Sequence, residues 1–228
     1  MRWDEYAKRW AALHGGFDPR SAGQVVRGWL RLAYGIGGLL ARWRVPPTAV
    51  TVLGLLLCAA VPVAATRSPV GLFVGAGLVL LAGVADSVDG AVAVISDRVT
   101  ALGYVYDSVA DRLGEAAWLA AFWVAGVPAP LVVLAGGLSW LHEYVRARSV
   151  SAGMHEIGSV TVGERPMRVA VTVVGLLVAG AAGFIEKDLA AGTLTIALAV
   201  WALLALFGLG QLVGAVRHSL RPRPRPRP

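Results

Sequence analysis

The sequence predicts an all-α polytopic membrane protein, with six transmembrane helices preceded by an amphipathic interfacial helix. Three observations carry this expectation. Hydrophobic residues make up 57% of the 228 residues and charged residues only 15%, with a mean hydropathy of +0.66. Soluble domains carry about 25% charged residues, so a soluble enzyme and a disordered chain are both excluded. Long apolar stretches recur along the chain, as membrane helices require. Gly and Ala are abundant, and the regular alternation of a membrane β-barrel is missing. The one cysteine, Cys58, lies in an apolar run, so there is no disulfide framework.

Residues 1–47 read as a cytoplasmic N-terminal segment. Trp3, Asp4, Glu5, Lys8 and Arg9 interrupt any apolar run there, so it is not a signal peptide. From Gln24 to Arg44, Val25, Val26, Trp29, Leu30, Ala33, Ile36 and Leu40 alternate with Arg27, Arg31, Arg42 and Arg44. That pattern predicts an amphipathic helix lying in the membrane interface.

A six-helix catalytic domain is expected over residues 48–216. The first span runs roughly Thr48 to Thr66, after Pro46-Pro47, and the second about Val70 to Val94. The third runs about Ala101 to Ala125, and Pro128 and Pro130 mark the next turn. The fourth runs about Leu131 to Val150, the fifth about Met167 to Ile185 and the sixth about Leu189 to Val216. Each is long enough for roughly 30 Å of hydrocarbon at about 1.5 Å per residue. Residues 217–228 form a basic tail, whose four Arg-Pro repeats from Arg221 to Pro228 exclude helix. A solvated tail resting on anionic lipid is expected there, with a ligand for a proline-binding domain as the alternative.

The net charge is +7, and 19 of the 21 cationic residues are Arg. With the N-terminus inside, only Arg67 and Lys187 fall outside. The positive-inside rule then places both termini, and the loops after spans two and four, in the cytoplasm. In a membrane chain such charge points to topology and anionic lipid rather than to nucleic acid.

Spans two and three carry the informative feature. Asp86 and Asp89 are three apart and Asp107 and Asp111 four apart, so each pair shares one helix face. The connection is short, which predicts antiparallel neighbours whose four carboxylates converge at the cytoplasmic membrane boundary. Unpaired, each costs about 2.5–3.5 kcal/mol near a helix centre. Only Arg98 and Arg112 are nearby in sequence. Bound divalent cations are the economical solution, and all-oxygen ligation suits Mg²⁺, Mn²⁺ or Ca²⁺ rather than Zn²⁺. Four carboxylates suffice for two such ions, a common clamp for phosphoryl transfer. A proton or ion pathway is the alternative. Gly90, Ala93 and Gly103 leave room beside the carboxylates for a flat or bulky group, or else serve as packing contacts.

The segment Asp86-Ser-Val-Asp89-Gly90-Ala-Val-Ala93, followed by Gly103-x3-Asp107-x3-Asp111, resembles the signature of the CDP-alcohol phosphatidyltransferase family, D-x-x-D-G-x-x-A-R-x8-G-x3-D-x3-D. Seven of its eight fixed positions match at every spacing. The resemblance extends over residues 24–216. It implies transfer of a phosphatidyl group from CDP-diacylglycerol to an alcohol, with release of CMP. It also implies a homodimer, two metal ions on Asp86, Asp89, Asp107 and Asp111, and Asp111 as the base that deprotonates the alcohol. Gly90, Ala93 and Gly103 would then accommodate the cytidine. Val94 stands where the pattern has Arg. Arg98, four residues on, is expected to take over its contact with the donor phosphates. A silent homologue is the alternative that Val94 raises, and a carboxylate-lined transporter is the rival from another class.

Tyr144-Val-Arg146-Ala-Arg148 ends span four, and Glu164-Arg165-Pro-Met-Arg168 opens span five. Arg146, Arg148, Arg165 and Arg168 are read as a pocket for an anionic acceptor, with plain topological charge as the alternative. These segments resemble those of actinobacterial phosphatidylinositol phosphate synthases, which implies inositol phosphate as acceptor. A phosphatidylglycerophosphate synthase needs the same charge. His142-Glu143 and His155-Glu156 are too far apart for a helical metal pair.

Overall fold

The computed structural model describes residues 1–66, 68–154 and 162–220. Arg67, the His155-Glu156 pair and the Arg-Pro tail lie outside the described residues. The described chain is all-helical. Helices α1 (Trp3–Leu13) and α2 (Gln24–Arg42) precede α3 (Pro47–Ala65), α4 (Pro69–Ile95), α5 (Ala101–Val124), α6 (Ala129–Ser151), α7 (Arg165–Gly183) and α8 (Lys187–Ser219). Each expected span is matched by one helix. Proline sits in the first turn of α3, α4, α6 and α7, where its missing N–H is no loss. Ser68 and Thr100 cap α4 and α5, their hydroxyls accepting from the N–H groups of Gly71 at 3.2 Å and Gly103 at 3.0 Å.

Helices α3 to α8 close into a ring. In order of contact it runs α5, α3, α4, α7, α8, α6 and back to α5. Its interior is one apolar cluster, including Val61, Val79, Trp118, Phe122, Leu176, Leu198 and Trp201. The buried Trp201 indole N–H donates to Ser139 Oγ at 2.8 Å, so that polar handle in the core is satisfied. Helices α3, α4, α7 and α8 are long and apolar enough to cross a membrane, which makes the chain an integral membrane protein. Helices α5 and α6 fall short of that hydropathy among the described residues, because Asp107, Asp111, Arg112, Glu115, His142, Glu143, Arg146 and Arg148 interrupt them.

Helix α2 packs its small face on α4. Gly37 comes so close that a Cβ there would meet Ala91 Cβ at 2.9 Å, and the Trp29 indole N–H donates to Ser87 Oγ at 2.8 Å. Helix α1 lies in a segment whose mixed residue pattern predicts no helix. It is short, and polar enough to be taken for a mixed segment. Tyr6 and Ala7 are nonetheless fully buried, Tyr6 in a second apolar cluster with Ala33, Val50, Val88, Val92 and Val94. Tyr6 stacks near Trp3 and Tyr34, with ring centroids at 5.7 and 5.1 Å. Its hydroxyl has no hydrogen-bond partner among the described residues. Tyr6→Ala is expected to cost about 3 kcal/mol and to release α1, seen as faster proteolysis before Gly23. Tyr6→Phe removes the orphaned hydroxyl, so it is expected to leave protection unchanged or raised.

Candidate active site

The expectation that α4 and α5 pack as direct neighbours is corrected by the structure. Each packs on α3 far more closely than on the other. Small residues on α3 are the reason. A Cβ on Gly54 would sit 3.3 Å from Ala85 of α4, and one on Gly114 of α5 would sit 3.0 Å from Cys58 Sγ. Helices α4 and α5 thus flank α3 and face each other across a cleft floored by Thr51, Gly54, Leu55 and Cys58.

Into that cleft the two aspartate pairs project. One carboxylate oxygen each from Asp86, Asp107 and Asp111 lies within 4.8 Å of the others. Asp89 also lines the cleft, but it turns to α3, where Thr51 Oγ1 donates to its Oδ2 at 2.6 Å. Thr51, a residue of the Pro47…Thr51…Gly54 pattern to which the family resemblance extends, thereby orients the fourth carboxylate. An all-oxygen set of three converging carboxylates, with a fourth alongside, fits a hard divalent cation.

The basic residues divide unevenly. Arg165 reaches into the acidic cleft, where it pairs with Asp111 and lies 3.2 Å from Asp86. Its place beside the carboxylates, rather than in a separate acceptor pocket, is not what the sequence suggested. Arg168 is 2% exposed. It donates to Glu115 Oε2 at 2.9 Å and to Glu143 Oε1 at 2.7 Å. Arg112 follows Asp111 and bridges the same two glutamates, at 3.1 Å from Glu115 and 3.4 Å from Glu143. Arg146 pairs with Glu164 and lies 4.0 Å from Glu143 Oε2. Arg112, Arg146 and Arg168 therefore meet at Glu143, while Arg148 is exposed beyond them. Sequence reasoning missed Glu143 as a hub. Its three-residue spacing to Arg146 was the available signal.

Around the signature glycines the structure is mixed. A Cβ on Gly90 would meet nothing within 4 Å, so space does adjoin Asp89. Gly103 belongs to the Thr100 cap, 3.0 Å from its hydroxyl. Ala93 is half-buried, and its carbonyl accepts from the Arg98 N–H at 2.8 Å. That bond closes the end of α4, with Asp97 left-handed at φ 55°. The helix stops before Arg98, so Arg98 is not one helical turn from Val94. It is exposed in the connection and does not line the cleft. Val94 itself is buried against the α1–α2 cluster, a surrounding in which an arginine would lose its hydration.

Comparison with known proteins agrees with this architecture. The family model described as CDP-alcohol phosphatidyltransferase matches residues 44–215. A phosphatidylinositol phosphate synthase of Mycolicibacterium smegmatis is 32% identical over 204 residues, covering 84% of this chain and 86% of that protein. The crystal structure of Mycobacterium tuberculosis phosphatidylinositol phosphate synthase with CDP-DAG bound superposes with a TM-score of 0.66 at 25% identity, over 85% of this chain and 99% of that one. The structure of the same enzyme with manganese and citrate gives 0.63 at 24% identity, over 84% and 93%. With the family model spanning α3 to α8 and a relative matched over 86% of its length at this identity, the chain belongs to the CDP-alcohol phosphatidyltransferase family and is a transferase of phospholipid synthesis.

Proposed function

We propose that this enzyme transfers the phosphatidyl group of CDP-diacylglycerol to inositol phosphate and releases CMP. The observation that carries this reading is the meeting of Arg112, Arg146 and Arg168 beside a carboxylate cleft, with Arg112, 3.9 Å from Asp111, linking the two. In this reading Asp86, Asp89, Asp107 and Asp111 hold two divalent ions, Mg²⁺ or Mn²⁺. Bound there, the ions would neutralise charge building on the transferring phosphate. Thr51 fixes the Asp89 carboxylate, and Arg165 steadies Asp86 and Asp111. Asp111 accepts the proton of the acceptor hydroxyl. The freed oxygen forms a bond to the lipid-side phosphorus in line, and the bond to the CMP oxygen breaks, CMP leaving with the electron pair. Positioning and charge do most of this chemistry. The open space beside Gly90 suits the cytidine, near Ala93 and Gly103.

A place for the acyl chains supports the donor assignment. An apolar groove between α3 and α5 is lined by Val52, Tyr106, Val109 and Leu113, and it shares Thr51, Leu55 and Ala110 with the carboxylate cleft. A lipid can enter sideways there with its headgroup at the aspartates. We further propose that α3 to α8 all span the bilayer over residues 48–216, the ion pairs of α5 and α6 being shielded inside the ring. Helix α2 then lies in the interface within the 1–47 segment, and the 217–228 tail rests on anionic lipid. The carboxylate end and both termini face the cytoplasm, and the enzyme works as a homodimer.

The decisive assay is CMP release by the purified enzyme with CDP-diacylglycerol, Mn²⁺ and a panel of inositol phosphate, glycerol phosphate and free inositol. Inositol phosphate is expected to give the highest kcat/KM. Arg146→Ala is expected to raise its KM about ten- to a hundredfold, as a lost charged hydrogen bond is worth roughly 1.5–3 kcal/mol. Donor KM should stay nearly flat. Preference for free inositol, or an unmoved acceptor KM in this variant, overturns the reading.

A further inference from the structure

We infer that Glu143 is a gate for the acceptor: its carboxylate occupies the arginine pocket as a stand-in for the acceptor phosphate, and the phosphate displaces it. The inference rests on the anionic-acceptor reading above. It goes beyond that reading by assigning a role to a residue outside the family signature.

Glu143 engages its guanidinium neighbours incompletely. Of its three guanidinium neighbours only Arg168 makes a hydrogen bond, at 2.7 Å from Nη2 to Oε1. Arg112 Nη1 at 3.4 Å and Arg146 Nε at 4.0 Å are ion pairs without hydrogen-bond geometry. Arg112 Nη1, Arg146 Nε and Arg168 Nε are all buried and find no hydrogen-bond acceptor among the described residues. Two of these donors, Arg112 Nη1 and Arg146 Nε, are thus left unspent within 4.0 Å of the Glu143 carboxylate. A phosphate offers more oxygens and more charge, so it can engage donors that a carboxylate leaves idle.

The partner glutamate behaves differently. Glu115 is fully buried, with one oxygen on Arg112 at 3.1 Å and the other on Arg168 at 2.9 Å. It is spent as a fixed anchor. The Glu143 side chain is 30% exposed, which gives it somewhere to go. Charge points the same way. Arg112, Arg146 and Arg168 face Glu115, Glu143 and Glu164, three of each sign. A phosphate entering with Glu143 in place would put surplus negative charge in the pocket, whereas release of Glu143 restores the balance. An uncharged polyol has no means to break the Arg168–Glu143 pair, so the gate also selects for anions.

The test uses the full chain in detergent or lipid nanodiscs. Inositol phosphate binding is measured by calorimetry and turnover by CMP release, for wild type, Glu143→Gln and Arg146→Ala. Glu143→Gln keeps the shape but removes the competing charge. It is expected to tighten inositol phosphate about tenfold and lower its KM to match, with donor KM unchanged. A merely structural glutamate would move acceptor KM the other way. Unchanged or weaker binding in Glu143→Gln overturns the gate, the weaker case meaning that the carboxylate holds the arginines or an acceptor hydroxyl. If Glu143→Gln fails to fold, Glu143→Asp serves. Its shorter reach loosens the grip on Arg168 and is expected to tighten binding less, and no tightening overturns the gate as well. Loss of binding in Arg146→Ala without tightening in Glu143→Gln sinks only the gate. No inositol phosphate binding by wild type, with turnover of free inositol, sinks the acceptor reading beneath it.

Discussion

Asp111→Asn is expected to lower kcat by about a thousandfold or more while the protein stays folded. The change removes the proposed proton acceptor, an effect worth about a hundred- to ten-thousandfold by itself. It also removes one of the three converging carboxylates. The volume is unchanged, so packing of α5 on α3 is not disturbed. From sequence alone, relief of repulsion among like charges would let stability hold or rise. The structure argues against a gain, because Asp111 answers Arg165 and lies 3.9 Å from Arg112. Both arginines keep other partners, Arg165 with Asp86 at 3.2 Å and Arg112 with Glu115 at 3.1 Å. Thermal unfolding in detergent should therefore shift little, and CMP release should vanish. More than a tenth of wild-type turnover in this variant would remove Asp111 from the role of base.

The sequence carried the helices and the carboxylates because both are local. Apolar run length, proline at helix starts and the hydroxyls of Ser68 and Thr100 fix where the helices begin. The spacing of Asp86, Asp89, Asp107 and Asp111 fixes which face each occupies. What stayed hidden depends on which faces meet. Placing α3 between α4 and α5 follows from Gly54 and Cys58 finding Ala85 and Gly114, and no single-helix pattern encodes that. Helix α1 was unreadable because its hydrophobic face, Trp3, Tyr6, Ala7 and Trp10, gains meaning only from the apolar side of α2 and α4. Arg98 was misplaced because continuing α4 by one turn ignored the left-handed Asp97. The four basic positions expected to form one pocket separate into a cleft residue, Arg165, two network members, Arg146 and Arg168, and the exposed Arg148. Their shared charge predicted a common location, and their glutamate and aspartate partners, on other helices, decided otherwise.

Removal of divalent metal is expected to abolish transfer, and Mn²⁺ or Mg²⁺ is expected to restore it. The carboxylates give the reason. Like charges about 4 Å apart repel by about 4 kcal/mol per pair at the effective dielectric of a protein surface, and more in a drier cleft. Arg165 is shared between Asp86 and Asp111, and Asp107 has no cationic side chain within 4.0 Å among the described residues. Arg165, with Arg112 at the edge of the cleft 3.9 Å from Asp111, thus serves three carboxylates, and Asp89 adds a fourth negative group held by a neutral hydroxyl. This imbalance is tolerable if the cleft is built to hold cations, whereas a purely structural cluster would have evolved more counter-charge. Treatment with EDTA should cut CMP release at least a hundredfold. Mn²⁺ added back should recover it, and Zn²⁺, which favours nitrogen and sulfur ligands, should do so poorly. A second readout is independent of turnover. Bound Mn²⁺ followed by electron paramagnetic resonance should weaken at least tenfold in Asp107→Asn, the one converging aspartate with no arginine within 4.0 Å among the described residues. Transfer that persists after exhaustive chelation, or Mn²⁺ binding that ignores Asp107→Asn, would show that the cleft is balanced by Arg165 and protons alone.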